Sequence, residues 1–128
     1  MSGEISLNLS MQINKDNFGY SNTPISYQED MVTGKGPSPG AITASSAGTG
    51  TQISFTNLST PARAVIKNFD DTNYVEVGIV VGGIFYALLE VQAGMFDIIR
   101  FGRSMTKTII YVRANTANCE VSVEAFEA

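Results

Sequence analysis

The chain of 128 residues has no histidine, no tryptophan and a single cysteine, Cys119. Without histidine there is no Ser-His-Asp or Cys-His nucleophilic site and no histidine-containing zinc site. The commonest acid–base side chain is missing too. A lone thiol can close neither an internal disulfide nor a thiolate metal site, so packing has to hold the fold. Charge is sparse as well: 16% of residues, a net −4 and no basic run. The electrostatic footprint of a nucleic-acid binder is therefore absent. The longest uncharged apolar run, Val77–Leu89, is broken by Gly82-Gly83 and falls short of the roughly 20 residues of a membrane helix. No membrane partner is expected. The opening MSGEISLNLSMQI alternates and carries Glu4, unlike a basic region followed by an apolar secretion core. Synthesis in a cytoplasm is expected.

What is present is a globular composition, 44% hydrophobic, in a length that fits one domain over residues 1–128. The dominant signal is period two. Ile5, Leu7, Leu9, Met11 and Ile13 alternate with polar residues, which predicts one strand. Asn14-Lys15-Asp16-Asn17 reads as a turn, and Ile25 to Val32 as an edge strand after Pro24. The Gly/Ser/Thr-rich stretch 33–50 fits either a flexible arm or a turn–strand–turn with its strand at Ala41–Ser45. The second fits better, because Thr51–Leu58 begins another strand at once. Ala62–Phe69 returns. Then Tyr74–Val81, Ile84–Val91 and Met95–Phe101 predict an antiparallel meander, with Gly82-Gly83 as a two-residue hairpin turn. Lys107–Arg113 and Cys119–Phe126 complete the pattern, with Cys119 as a small buried thiol. Strand runs at this spacing predict an all-β fold, an antiparallel β-sandwich or jelly-roll-like barrel of about eight to nine short strands.

Several strands are apolar on both faces, which a two-sheet domain does not require. If Phe85, Ala87, Leu89 and Val91 face the core, then Ile84, Tyr86 and Leu88 face out. Phe96, Ile109 and Tyr111 stand out in the same way. Burial beneath the Gly-rich stretch, or a closed barrel with an apolar exterior, would account for this. A subunit interface formed by Ile84, Tyr86, Leu88, Phe96, Ile109 and Tyr111 accounts for it better, because such a patch exceeds what soluble monomers expose.

Motifs for chemistry are thin. Lys35 lies among glycines without the order of a phosphate loop. Asp70, Asp71, Glu76, Glu90 and Asp97 supply carboxylates in or beside the meander. Paired carboxylates serve glycosidases, but the aromatic platforms that bind sugars lack tryptophan here. Asn68, Asp70, Asp71 and Asn73 offer oxygens to calcium without the spacing of a calcium loop. Turn capping is the expected role of Asp70 and Asp71. No catalytic residue, metal site or cofactor is expected.

The run Asn68-Phe-Asp70-Asp-Thr-Asn73-Tyr-Val-Glu-Val-Gly78, followed by a hairpin and then Leu89-Glu-Val-Gln-Ala-Gly-Met-Phe96, resembles small structural proteins of tailed bacteriophages. A Gly-rich hairpin similar to PGAITASSAGTGTQISF precedes that run in such proteins. The resemblance spans roughly Pro39 to Phe101. It departs at LLEVQAGMFDIIRF, where those proteins more often carry Pro and Lys. It implies a non-enzymatic virion component, a capsid decoration or cement protein that binds the outer shell as a symmetric homo-oligomer, often a trimer. Its partners would be the major capsid protein or other virion proteins. A tail or neck component is the alternative, as is a carbohydrate- or receptor-binding module using Tyr20, Tyr27, Tyr86 and Tyr111.

Overall fold

The computed structural model describes residues 3–22, 24–31 and 34–127. Strands take up 57% of the chain and helix 2%, the all-β class that the alternation predicts. No helix among the described residues is long and apolar enough to cross a membrane. The chain groups into two compact units, Met1–Val32 and Thr33–Glu127.

The first unit is a long antiparallel ribbon. Strand β1 (Ile5–Leu9) pairs with β4 (Ile25–Glu29), and β2 (Gln12–Lys15) with β3 (Phe18–Ser21). The single strand predicted from Ile5 to Ile13 is thus two, interrupted at Ser10-Met11. There the Met11 carbonyl accepts from Asn22 N at 3.1 Å, and Met11 N donates to Asn22 Oδ1. Asp16 takes a left-handed φ of 51° in the polar turn, the conformation Asp tolerates better than most residues. The predicted edge strand closes at Glu29, and its last residue, Val32, lies outside the described residues. β3 escapes the sequence reading because Gly19 weakens its strand propensity. At the open end Gly3 N donates to Asp30 Oδ1 at 2.8 Å and Met31 N to Glu4 Oε2 at 3.2 Å.

The second unit holds two four-stranded sheets. Its strands are β5 (Ser38–Ala44), β6 (Thr51–Gln52), β7 (Pro61–Asn68), β8 (Val75–Val81), β9 (Ile84–Val91), β10 (Phe96–Arg100), β11 (Ile110–Ala114) and β12 (Cys119–Glu127). One sheet runs β10-β7-β12-β5 and the other β6-β11-β8-β9. Neither closes, so the arrangement is sandwich-like rather than a barrel. The core comes from alternate positions of both sheets: Ala64, Ile66, Val121 and Val123 on one side, Val75, Val77, Ile110 and Val112 on the other. Phe55 and Phe101 meet edge to face at 5.7 Å within it.

Two sequence expectations change here. The predicted meander is broken, because only β8 and β9 form a hairpin within one sheet. After Val91 the turn at Gln92-Ala93-Gly94 carries the chain to the other sheet, where β10 pairs with β7. Asn68, at the end of β7, makes that crossing specific. Its buried side-chain Nδ2 donates to the carbonyls of Val91 (3.2 Å) and Asn73 (2.9 Å), and its Oδ1 accepts from Asp70 N (3.0 Å). Its backbone N donates to the Met95 carbonyl at 2.9 Å. The predicted strand Thr51–Leu58 is only two residues long. Ile53, Phe55 and Leu58 are buried, but from a turn in which Leu58 N donates to the Phe55 carbonyl. Lys107 Nζ then donates to the Leu58 carbonyl at 2.5 Å.

Within the Gly-rich stretch the strand starts earlier than expected, at Ser38, so that the first expected turn is largely strand. β5 lies on the far edge of its sheet beside β12, and a turn closed by Gly50 N donating to the Ala47 carbonyl follows it. Gly82 and Gly83 take left-handed φ angles of 60° and 78°, as the predicted hairpin turn demands. Replacing Asn68 by Ala should lower unfolding free energy by about 2–4 kcal/mol in chemical denaturation, because several buried groups lose their partner together.

Candidate assembly surface

The β8–β9 hairpin contains a bulge that decides which side chains it presents. Val77 lies opposite Leu89 but Gly78 opposite Ala87, so Leu88 has no cross-strand partner. The bulge brings the β9 backbone close to Gly78, where a Cβ would sit 2.0 Å from the Tyr86 carbonyl oxygen. Only glycine fits. Because one residue is skipped, the faces of β9 exchange partway along. Val91 and Leu89 share the core side with Val75 and Val77, as expected. Beyond the bulge Tyr86 and Ile84 take that side, opposite Ile79 and Val81. Phe85 and Ala87, expected in the core, are on the opposite side, where Phe85 lies 4.3 Å beneath the Arg113 guanidinium.

The core-side residues of the outer hairpin are nevertheless open to solvent. Ile84 is 56% exposed, Tyr86 49% and Leu88 67%. On the edge of the other sheet Phe96, 67% exposed, pairs with Lys67 on the outer side of β7, and Ile98 pairs with Val65, so both face away from the core side. Beside the β9 edge runs an open cleft of about 300 Å³, lined by Ile79, Leu88 and Leu89 from one sheet and by Ile99 of β10 with Phe101 and Met105 of the segment that follows it. Arg100 is the one charged residue in that lining. β5, the strand within the Gly-rich stretch, is on the opposite edge of its sheet from β10, so it does not cover this patch.

Of the six residues named from the sequence, Ile84, Tyr86 and Leu88 lie together on the β9 edge, and Phe96 lies on the outer face of β10. Ile109 does not join them: it sits in the 3-10 turn Lys107–Ile109 and packs against the core. Tyr111 is half-buried on β11, between Gly78 and Gln52. Sequence reasoning missed Leu89 and Ile99 as cleft residues, since each sits in an alternating run and reads as core, and Met105, which lies between two predicted strands. The adjacent pair Leu88-Leu89, which breaks strict alternation, was the available signal for a bulge.

Two of the carboxylates near the hairpin, Asp70 and Glu76, are engaged within the fold. Asp70 Oδ2 accepts from the backbone N of Asn73 (2.6 Å) and of Thr72 (3.0 Å), the capping role expected of it. Those two backbone donors hold its pKa below the ordinary 3.8. Asn73 Oδ1 accepts from Thr116 Oγ1 at 2.7 Å, so Asn68, Asp70 and Asn73 each have a side-chain oxygen engaged by a donor of the protein. Glu76 lies opposite Glu90 and pairs with Arg113 at 3.5 Å. Among the described residues no group of three or more His, Cys, Asp or Glu could hold a metal ion. Cys119 is buried, and burial followed by the nearby Asp70 charge pushes its thiol pKa up. Comparison of the chain with family models, curated proteins and solved structures returns no match.

Two outcomes are expected. Gly78→Ala should cost about 1–3 kcal/mol, read by denaturant titration, because backbone has to move to admit the methyl group. Asp70 binds a proton less readily folded than unfolded, so its contribution is fully present above pH 3.8 and is lost as pH falls through the lower folded value. The thermal midpoint of wild type should therefore drop more steeply below that pH than that of Asp70→Asn, which keeps an acceptor but does not titrate.

Proposed function

We propose that the chain is a non-enzymatic structural component of a virion, a capsid decoration protein that binds the outer shell as a symmetric oligomer, with a trimer as the expected form. The observation that carries this reading is the apolar edge of β9 and β10, with its open cleft. Monomeric proteins rarely leave contiguous apolar surface of that kind uncovered, and unpaired strand edges are ready templates for another chain. The resemblance to small phage structural proteins spans Pro39 to Phe101, the stretch that holds this edge and the Asx turn leading into its hairpin.

The mechanism on this reading is mechanical. Each copy binds the assembled shell and not its dissociated subunits, so binding stabilises the shell by mass action. Symmetric copies engage several lattice sites at once, and weak single contacts add up to firm attachment. The partners are the major capsid protein or other virion proteins. The net charge of −4 speaks against nucleic acid as a partner.

Native mass measured across a dilution series should show a dilution-resistant oligomer. Tyr86→Asp should loosen it by about 2 kcal/mol per contact, the scale of an aromatic interface anchor, with the monomer's circular dichroism unchanged. A Tyr86→Asp protein with the mass and thermal stability of wild type would show that this edge is not the interface. A clean wild-type monomer would move the assignment toward a tail or neck component.

A further inference from the structure

The ribbon presents an apolar surface of its own. Paired residues of a two-stranded ribbon share a face, and the register sorts them cleanly. Leu7 lies opposite Tyr27, Leu9 opposite Ile25 and Ile13 opposite Tyr20, whereas the other face pairs Asn8 with Ser26 and Asn14 with Gly19. The polar face closes its own hydrogen bonds, Ser26 Oγ donating to Asn8 Oδ1 at 2.7 Å. The apolar face is uncovered: seven large side chains from Leu9 to Tyr27 are 42% to 61% exposed.

A two-stranded ribbon is marginal alone in water, and a sheet with one apolar face needs a second layer against it. We propose that the second layer is the same face of the ribbon in a second copy of this chain, packed across a two-fold axis as a four-stranded sandwich. Two observations select that occupant. At roughly half of the 150–250 Å² that a large side chain can bury, the seven expose on the order of 700 Å², close to the roughly 800 Å² that each partner contributes to a standard interface. The charge distribution is also self-complementary. Lys15 pairs with Phe18 at the turn end of the apolar face, and Glu29 pairs with Ile5 at the open end. Antiparallel stacking about a two-fold axis sets Lys15 of each copy over Glu29 of the other, whereas parallel stacking sets like charges together. The Tyr27 hydroxyl, 3.3 Å from Glu29 Oε2, holds that carboxylate at the rim of the face. This contact does not depend on what the assembled protein does.

The test uses the full chain, with native mass and dilution as the readout. Where the β9–β10 edge makes a trimer, the ribbon contact joins two of them, so wild type is expected to contain an even number of chains, and Leu9→Asp to halve that number. Lys15→Glu and Glu29→Lys, each of which creates two like-charge contacts per pair of copies, should raise the dissociation constant roughly tenfold. The double variant Lys15→Glu/Glu29→Lys should return close to wild type, and an equal mixture of the two single variants should form mixed assemblies in preference. Restoration in the double variant cannot come from damage to the fold. A monomeric wild type, a mass indifferent to Leu9→Asp, or a double variant no better than the single ones would overturn the proposal.

Discussion

The buried amide of Asn68 governs the architecture of the larger unit. It stands at the end of a central strand of one sheet, beside Val121, and reaches the last residue of β9 in the other sheet and the turn between β7 and β8. An amide buried away from water needs every one of these partners, so the hydrogen bonds hold together or fail together. Apolar packing alone would let the strands slide in register at modest cost. The amide removes that freedom at the point where the chain changes sheets.

The apolar edge follows from that constraint. With Val91 tied to Asn68, the chain leaves β9 by a tight turn, and β10 begins on the neighbouring sheet. The two strands therefore end as edges, one in each sheet, with a cleft beside β9 rather than a shared ladder. Had β10 continued the meander, β9 would be an interior strand and Leu88 and Tyr86 would have neighbours on both sides. The bulge at Leu88 acts in the same direction, because it exchanges the faces of β9 and directs Ile84 and Tyr86 toward the side where the cleft lies.

The two units solve burial differently. In the larger one, two sheets cover each other, and exposed apolar residues gather at one edge. In the ribbon, two strands satisfy their backbone through the ladder but have only one layer. Its strict alternation, the clearest pattern in the chain, produces a strongly two-faced surface rather than a buried strand. A pattern that marks which side chains share a face carries no information about whether anything covers it.

The sequence by itself determined the period and the punctuation. Alternation from Ile5, the Gly82-Gly83 turn, the capping at Asp70, the buried Cys119 and the all-β class were legible because each depends on residues near in sequence. Three of the six apolar positions singled out also lie together on the exposed β9 edge, since doubled apolar faces are visible in the chain. Tertiary structure decided which strands share a sheet, that Ile53 to Leu58 is a buried turn rather than a strand, and that Ile109 belongs to the core. It also decided the faces of β9, where one unpaired residue at the bulge exchanges every side chain beyond it. These features depend on contacts between residues far apart in the chain, such as Asn68 with Val91 and Lys107 with Leu58, and local periodicity has no term for them.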